Sequence, residues 1–105
     1  MESRNIIYEN LIESEKILER KLFSEVKMLG GWCIKLLSTH ITGLPDRLCL
    51  LPGGRMFFAE MKTTGRKPTR IQYLMLKRLQ GLGFRAEVLD STQGIKELIQ
   101  EYKTK

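Results

Sequence analysis

The tripeptide Pro52-Gly53-Gly54 constrains this chain more than any other feature, because it separates two runs suited to a pleated surface, Arg47–Leu51 (RLCLL) and residues 55–62 (RMFFAEMK). A glycine-rich break between such runs is a β-hairpin signal. A hairpin also fixes which residues meet. A two-residue Gly-Gly turn pairs Pro52 with Arg55, hence Asp46 with Met61, and puts Asp46 and Glu60 on opposite faces. A three-residue loop or a bulge pairs Asp46 with Glu60 instead. The expected arrangement is the second, or a bend at Pro45 that releases Asp46 from the pleat.

Helices and further strands are legible on either side. Residues 14–29 predict a helix, with Ser14 as N-cap and apolar residues at Leu18, Leu22, Val26 and Leu29. Gly30 and Gly31 end it, and residues 32–37 (WCIKLL) read as the first strand. After the loop 63–68, Thr69 can cap a helix whose Ile71, Leu74, Met75, Leu79 and Leu82 recur at helical spacing, which predicts packing on a sheet. Residues 84–89 read as a fourth strand, and Ser91 can cap a last helix ending near Lys103. Residues 4–13 can add a helical turn or two. The class is α/β, in the order α-β-β-β-α-β-α. At 105 residues, with no repeat or linker, one domain is expected over 1–105: an N-terminal extension 1–13, a core 14–91 and a C-terminal helix 92–105.

Charge is polarised along the chain. The net +6 hides a stretch, residues 62–86, with seven basic residues (Lys62, Arg66, Lys67, Arg70, Lys77, Arg78 and Arg85) and no acid. Such a stretch attracts a polyanion by counterion release, although a solvated basic face has the same composition. No apolar run approaches the roughly 20 residues that span a bilayer, and the N-terminus is not a secretory signal. Cys33 and Cys49, each in an apolar run, suit reduced core thiols better than a disulfide framework or a zinc knuckle. An intracellular, cytoplasmic location is expected.

Three charged residues stand beside or within apolar strand sequence: Asp46, Glu60 and Lys62. With a period of two, Glu60 and Lys62 leave the same face of their strand. Neighbouring carboxylates at a strand end repel unless a cation or a proton intervenes, so Asp46 and Glu60 make a seat for Mg2+ or Mn2+. Lys62 can stabilise charge developing on a phosphate or orient an attacking water. Together these parts describe phosphodiester hydrolysis; an ordinary Glu60–Lys62 ion pair is the plainer alternative. On the first helix Glu15 and Glu19 share the stripe of Leu18 and Leu22, where an unpaired carboxylate is costly. Glu15 can lie in a solvent-open first turn, and Glu19 can serve either function or a structural salt bridge.

Gly43-Leu44-Pro45-Asp46 followed by Glu60-Met61-Lys62 resembles the PD-(D/E)xK nuclease signature. More narrowly, GGWCIKLLS, GLPDRLCLLPGGRMFFAEMK, KPTRIQ and GLGFRAEVLDS resemble the VRR-NUC family, the virus-type replication-repair nucleases. The resemblance implies a restriction-endonuclease-like core with a central mixed four-stranded sheet flanked by helices. It implies that Asp46 and Glu60 bind the metal with the Met61 carbonyl, and that Lys62 is the catalytic lysine. Glu19 matches the acid of the family's first helix, with Glu15 as rival, and Gln72 the glutamine that positions the phosphate or the lysine. It also implies likeness to Holliday-junction resolvases, acting as homodimers on branched or four-way DNA. Backbone phosphates would be held by the basic stretch, Arg66, Lys67 and Arg70 among it, with Lys35 and Ser38 near the cut. The rival readings are a non-catalytic nucleic-acid-binding module on the same scaffold, and a nuclease acting on flaps or linear duplex.

Little else carries chemistry. His40 lies alone in a polar loop, Gly53-Gly54 is followed by no phosphate-cradling helix motif, and Trp32 is expected to pack rather than stack on a base.

Overall fold

The computed structural model of the chain describes residues 11–103. Most of the turn expected over 4–13 lies outside them, and residues 11–13 form no regular element. The elements then follow in the expected order: α1 (Glu15–Met28), β1 (Trp32–Lys35), β2 (Arg47–Leu51), β3 (Arg55–Met61), α2 (Arg70–Gly81), β4 (Ala86–Leu89) and α3 (Thr92–Lys103). Ser14 caps α1 by accepting from the Ile17 N–H at 3.2 Å, which satisfies one of the unpaired donors of the first turn.

The sheet order is β1-β2-β3-β4, antiparallel in the first two pairs and parallel between β3 and β4, with α2 as the crossover. Between β2 and β3 the turn occupies Pro52–Gly54, and Leu51 pairs with Arg55. Gly53 and Gly54 have φ of 83° and 74°, a region that side chains disfavour, which is why glycine stands at both places. The hairpin is therefore the three-residue form. Its register runs down to Arg47 opposite Ala59, so one step further Asp46 comes beside Glu60.

One face of the sheet carries the core. Phe57, Ala59 and Met61 of β3, with Cys33, Cys49, Leu51 and Leu89, are sealed beneath Leu18, Leu22 and Val26 of α1 and Ile95, Leu98, Ile99 and Tyr102 of α3. Each large side chain removed from water contributes about 1.5–3 kcal/mol. The Tyr102 hydroxyl donates to the Met56 carbonyl at 3.1 Å, and its ring lies 5.4 Å from that of Phe57.

The other face is covered only in part, and one sequence expectation is met only in part there while another fails. The α2 stripe was expected to pack on the sheet; Met75 and Leu79 are half-buried, but Ile71, Leu74 and Leu82 remain 53%, 51% and 68% exposed, and the buried residue is Leu76. The short link from Gly81 to Ala86 holds the helix against β4, the last strand, where Gln80 Nε2 donates to the Ala86 carbonyl at 2.8 Å. Trp32 was expected to pack and is 65% exposed, because it stands on the edge strand β1 opposite Leu50, away from the helices of the core.

Candidate active site

The hairpin register sets Asp46, at the mouth of β2, against the end of β3. Pro45 is fully buried and anchors the approach. Asp46 Oδ2 accepts from the Met61 N–H at 2.8 Å, so the carboxylate is tied to the β3 backbone. Glu60 is 1% exposed; its Oε2 lies 3.6 Å from Lys62 Nζ, while Oε1 has no hydrogen-bond partner among the described residues. Burial first, and the charge of Asp46 second, push the Glu60 carboxyl up to about 7, against the pull of Lys62. The backbone N–H of Lys62 donates to the Leu89 carbonyl at 3.1 Å and holds the lysine at the strand end.

Asp46, Glu60, Met61 and Lys62 are thus brought together. Two carboxylates, one with a buried orphan oxygen, beside a backbone carbonyl form an all-oxygen donor set that suits a hard divalent ion. Such an ion commonly keeps several waters, so a small protein donor set fits it. Glu19 stands elsewhere: its Oε2 lies 3.3 Å from Arg47 Nη2, in a cleft of about 320 Å³ shared with Lys16, Arg20 and Phe23. Among the described residues no three His, Cys, Asp or Glu side chains gather as a metal site, so Glu19 does not join the pair. Glu15 is exposed in the first turn of α1, and its N–H donates to Thr63 Oγ1 at 3.3 Å.

A cavity of about 510 Å³ opens beside Asp46, lined by Ser38, Thr42, Leu44, Arg70 and Gln72 among others. Gly43 shapes its wall: with φ of 83° and a Cβ position only 2.9 Å from the Ile71 carbonyl oxygen, it admits no side chain. Gln72 Oε1 accepts from the Thr69 N–H at 2.9 Å, while Thr69 Oγ1 accepts from the Gln72 N–H at 3.2 Å, a capping box on α2. The glutamine expected at the phosphate is therefore also a helix cap. Ser38 Oγ donates to the Leu44 carbonyl at 3.4 Å. Arg66 and Lys67 are exposed between β3 and α2, whereas Lys35 ends β1 opposite Arg47, outside the cavity lining.

Two structural supports carry no local pattern in the sequence. Arg47, at the start of β2, holds Glu19. Glu13 carries a strap: its carboxylate accepts from the Thr92 N–H and hydroxyl, its N–H donates to Thr64 Oγ1, and its carbonyl accepts from the Thr64 N–H at 3.0 Å. Thr64 Oγ1 also donates to the Asp90 carbonyl at 2.7 Å. The loop directly after Lys62 is thereby fixed to the start of α3. Partners 51 and 79 residues apart leave no local signal in the sequence.

A mixed four-stranded sheet with this element order, and an acid pair and lysine where two antiparallel strands meet, defines a restriction-endonuclease-like nuclease fold. A solved structure titled "VRR_NUC domain" superposes with a TM-score of 0.79 and 27% identity, over 86% of this chain and 99% of that one. "Putative nuclease p44" of Acyrthosiphon pisum secondary endosymbiont phage 1 is 44% identical over 77 residues, 73% of this chain and 83% of the relative. No family model matches the chain. On these likenesses the chain belongs to the VRR-NUC nuclease family.

Proposed function

We propose that the chain is a metal-dependent endonuclease that hydrolyses phosphodiester bonds in branched DNA, with residues 1–105 acting as one nuclease unit inside the cell. The observation that carries this reading is the Glu60 carboxyl, 1% exposed with an unpartnered oxygen, beside Asp46 and Lys62. A buried carboxylate left unpaired costs several kcal/mol unless a cation or proton compensates it, and a site retaining that cost has a use for the cation. Asp46, Glu60 and the Met61 carbonyl would hold Mg2+ or Mn2+. When bound, the ion supplies positive charge for the scissile phosphate and makes water easier to deprotonate.

The chain's own groups do the rest. Lys62, on the flank of Glu60, donates to a phosphate oxygen as charge develops there and helps orient the attacking water. Gln72 keeps its Nε2 donors for a phosphate while its Oε1 caps α2. Arg66, Lys67 and Arg70 hold backbone phosphates and so position the duplex without reading bases. Ser38 stands in the same cavity as Asp46 and Arg70 and reaches the adjoining phosphate. Lys35, on β1, serves the outer backbone. Glu19 acts at one remove, by holding Arg47 next to Asp46.

A homodimer gives two sites for two strands of a four-way junction. In its support, Trp32, Leu50 and Met56 form one apolar row across three strands on the open sheet face, and Ile34, Leu48 and Phe58 form the next. No helix among the described residues is long and apolar enough to cross a membrane.

The test incubates the protein with labelled four-way junction, flap, single strand and plain duplex, in Mg2+, Mn2+ or EDTA. Nicking of branched DNA is expected only with metal, and both Asp46→Asn and Lys62→Ala are expected to lose at least about tenfold, on the order of 1.4 kcal/mol of barrier. Mg2+ is also expected to raise the melting temperature of the wild type and not of Asp46→Asn. Undiminished cutting by Asp46→Asn would overturn the site; DNA binding without metal-dependent cutting would favour the non-catalytic module.

A further inference from the structure

The two cysteines have no part in the chemistry above, yet they face one another. Cys33 of β1 pairs directly with Cys49 of β2, and the Cys49 thiol donates to Cys33 Sγ across 3.3 Å. Their place in the ladder matters. The Leu36 N–H donates to the Asp46 carbonyl at 2.7 Å, which marks that position as hydrogen-bonded. Hydrogen-bonded and non-hydrogen-bonded pairs alternate along antiparallel strands, so Ile34–Leu48 is again hydrogen-bonded and Cys33–Cys49 is not. Non-hydrogen-bonded pairs bring Cα atoms to about 4.5 Å and side chains closest, inside the roughly 4.4–6.8 Å that a disulfide spans.

We propose that Cys33 and Cys49 are an oxidisable dithiol that peroxide converts to a reversible cross-strand disulfide, stapling the neck of the segment that presents Asp46. Cys33 is the attacking sulfur. It is 6% exposed on an edge strand, whereas Cys49 is fully buried. The hydrogen bond from Cys49 and the Arg47 guanidinium hold the Cys33 thiol below its usual range, while the same hydrogen bond and burial push Cys49 up. The Cys33 thiolate attacks one peroxide oxygen, the O–O bond breaks, and hydroxide leaves, giving a sulfenic acid. Cys49 sulfur then attacks the Cys33 sulfur; the S–O bond breaks, and the released hydroxide takes the thiol proton to leave as water. In sum, two thiols and one hydrogen peroxide give one disulfide and two waters. Closing the neck restrains the unfolded chain and raises thermal stability.

The test treats folded full-length protein with hydrogen peroxide, unfolds it in N-ethylmaleimide, and maps peptides without reductant; DNA and metal are not needed, so its outcome is independent of the nuclease reading. The expected product is a Cys33–Cys49 linked pair about 2 Da below the dithiol, restored by dithiothreitol, with a melting temperature higher by about 5 °C. Cys49→Ser should stop at a dimedone-trapped sulfenic acid on Cys33, and Cys33→Ser should leave Cys49 alkylatable. Full alkylation of both wild-type cysteines while an unstructured cysteine peptide in the same tube oxidises overturns the proposal, as does linkage only between molecules. Equal oxidation rates for the two serine variants overturn the order of attack.

Discussion

Along β3, Phe57, Ala59 and Met61 are sealed beneath α1 and α3, whereas Met56, Phe58 and Glu60 look toward the side that α2 only partly covers. Seven consecutive residues thus serve two environments. On the first side the buried side chains are apolar apart from the Tyr102 hydroxyl and the two thiols, each of which has a hydrogen-bond partner. On the second, the Glu60 carboxyl, 1% exposed, retains an oxygen with no partner among the described residues, and apolar side chains remain half open. The contrast sets the sealed apolar core on one face of the sheet and the proposed site on the other.

The largest expected effect lies on the sealed side. Phe57→Ala should cost about 3–5 kcal/mol in denaturant unfolding, since it empties a fully packed site. Phe58→Ala, half-buried against the edge of the Phe84 ring, should cost well under half of that. Equal losses would erase the distinction between the faces.

Glu60 comes next. Its folded value of about 7 lies above the 4.5 of an unfolded carboxyl, so between these values the native state holds a proton that the unfolded state has released. Stability of the metal-free protein should therefore fall as pH rises from about 4.5 through about 7, by up to about 3 kcal/mol, and level off above. Glu60→Gln should flatten that slope, and be the more stable form at pH 8 while losing activity. A wild-type protein whose melting temperature does not fall across this range would mean that Glu60 is compensated in a way the geometry does not provide.

Two smaller effects probe the open side. If the proposed homodimer forms through the Trp32 row, Trp32→Glu should shift the sedimentation coefficient from dimer to monomer, with a loss of about 2 kcal/mol or more in association; a wild type that sediments as a monomer, or a dimer that the substitution leaves unchanged, would remove the Trp32 row as an interface. Arg70→Ala should weaken DNA binding evenly across sequences and reduce the log–log salt slope by about one, leaving the cleavage rate of bound DNA nearly unchanged. A sequence-dependent loss would instead make Arg70 a reader of bases.

How much was legible beforehand depended on how far apart the partners lie. The Ser14 and Thr69 caps act within three residues and were readable from residue type, as was the glycine turn whose parity sets Asp46 beside Glu60. The expected bounds of β1, β3 and β4 run one or two residues longer than the regular strands, and single backbone bonds at Leu36, Lys62 and Arg85 do continue just past the strand ends. For Glu19 the stripe correctly announced a carboxylate in need of a cation. It had no means of choosing Arg47, 28 residues away.

What the sequence determined by itself is the order of the elements, a glycine turn between β2 and β3 and the expected convergence of Asp46, Glu60 and Lys62, because each follows from local backbone preference and a side-chain period of two; the register then chose the three-residue turn from the loop, bulge or bend left open. The tertiary structure decided which stripe α2 leaves exposed, that Glu13 straps the loop after Lys62, and that two thiols meet across adjacent strands. Those outcomes depend on how rigid elements are placed relative to one another. That placement is fixed by packing of the whole core rather than by any short stretch of chain.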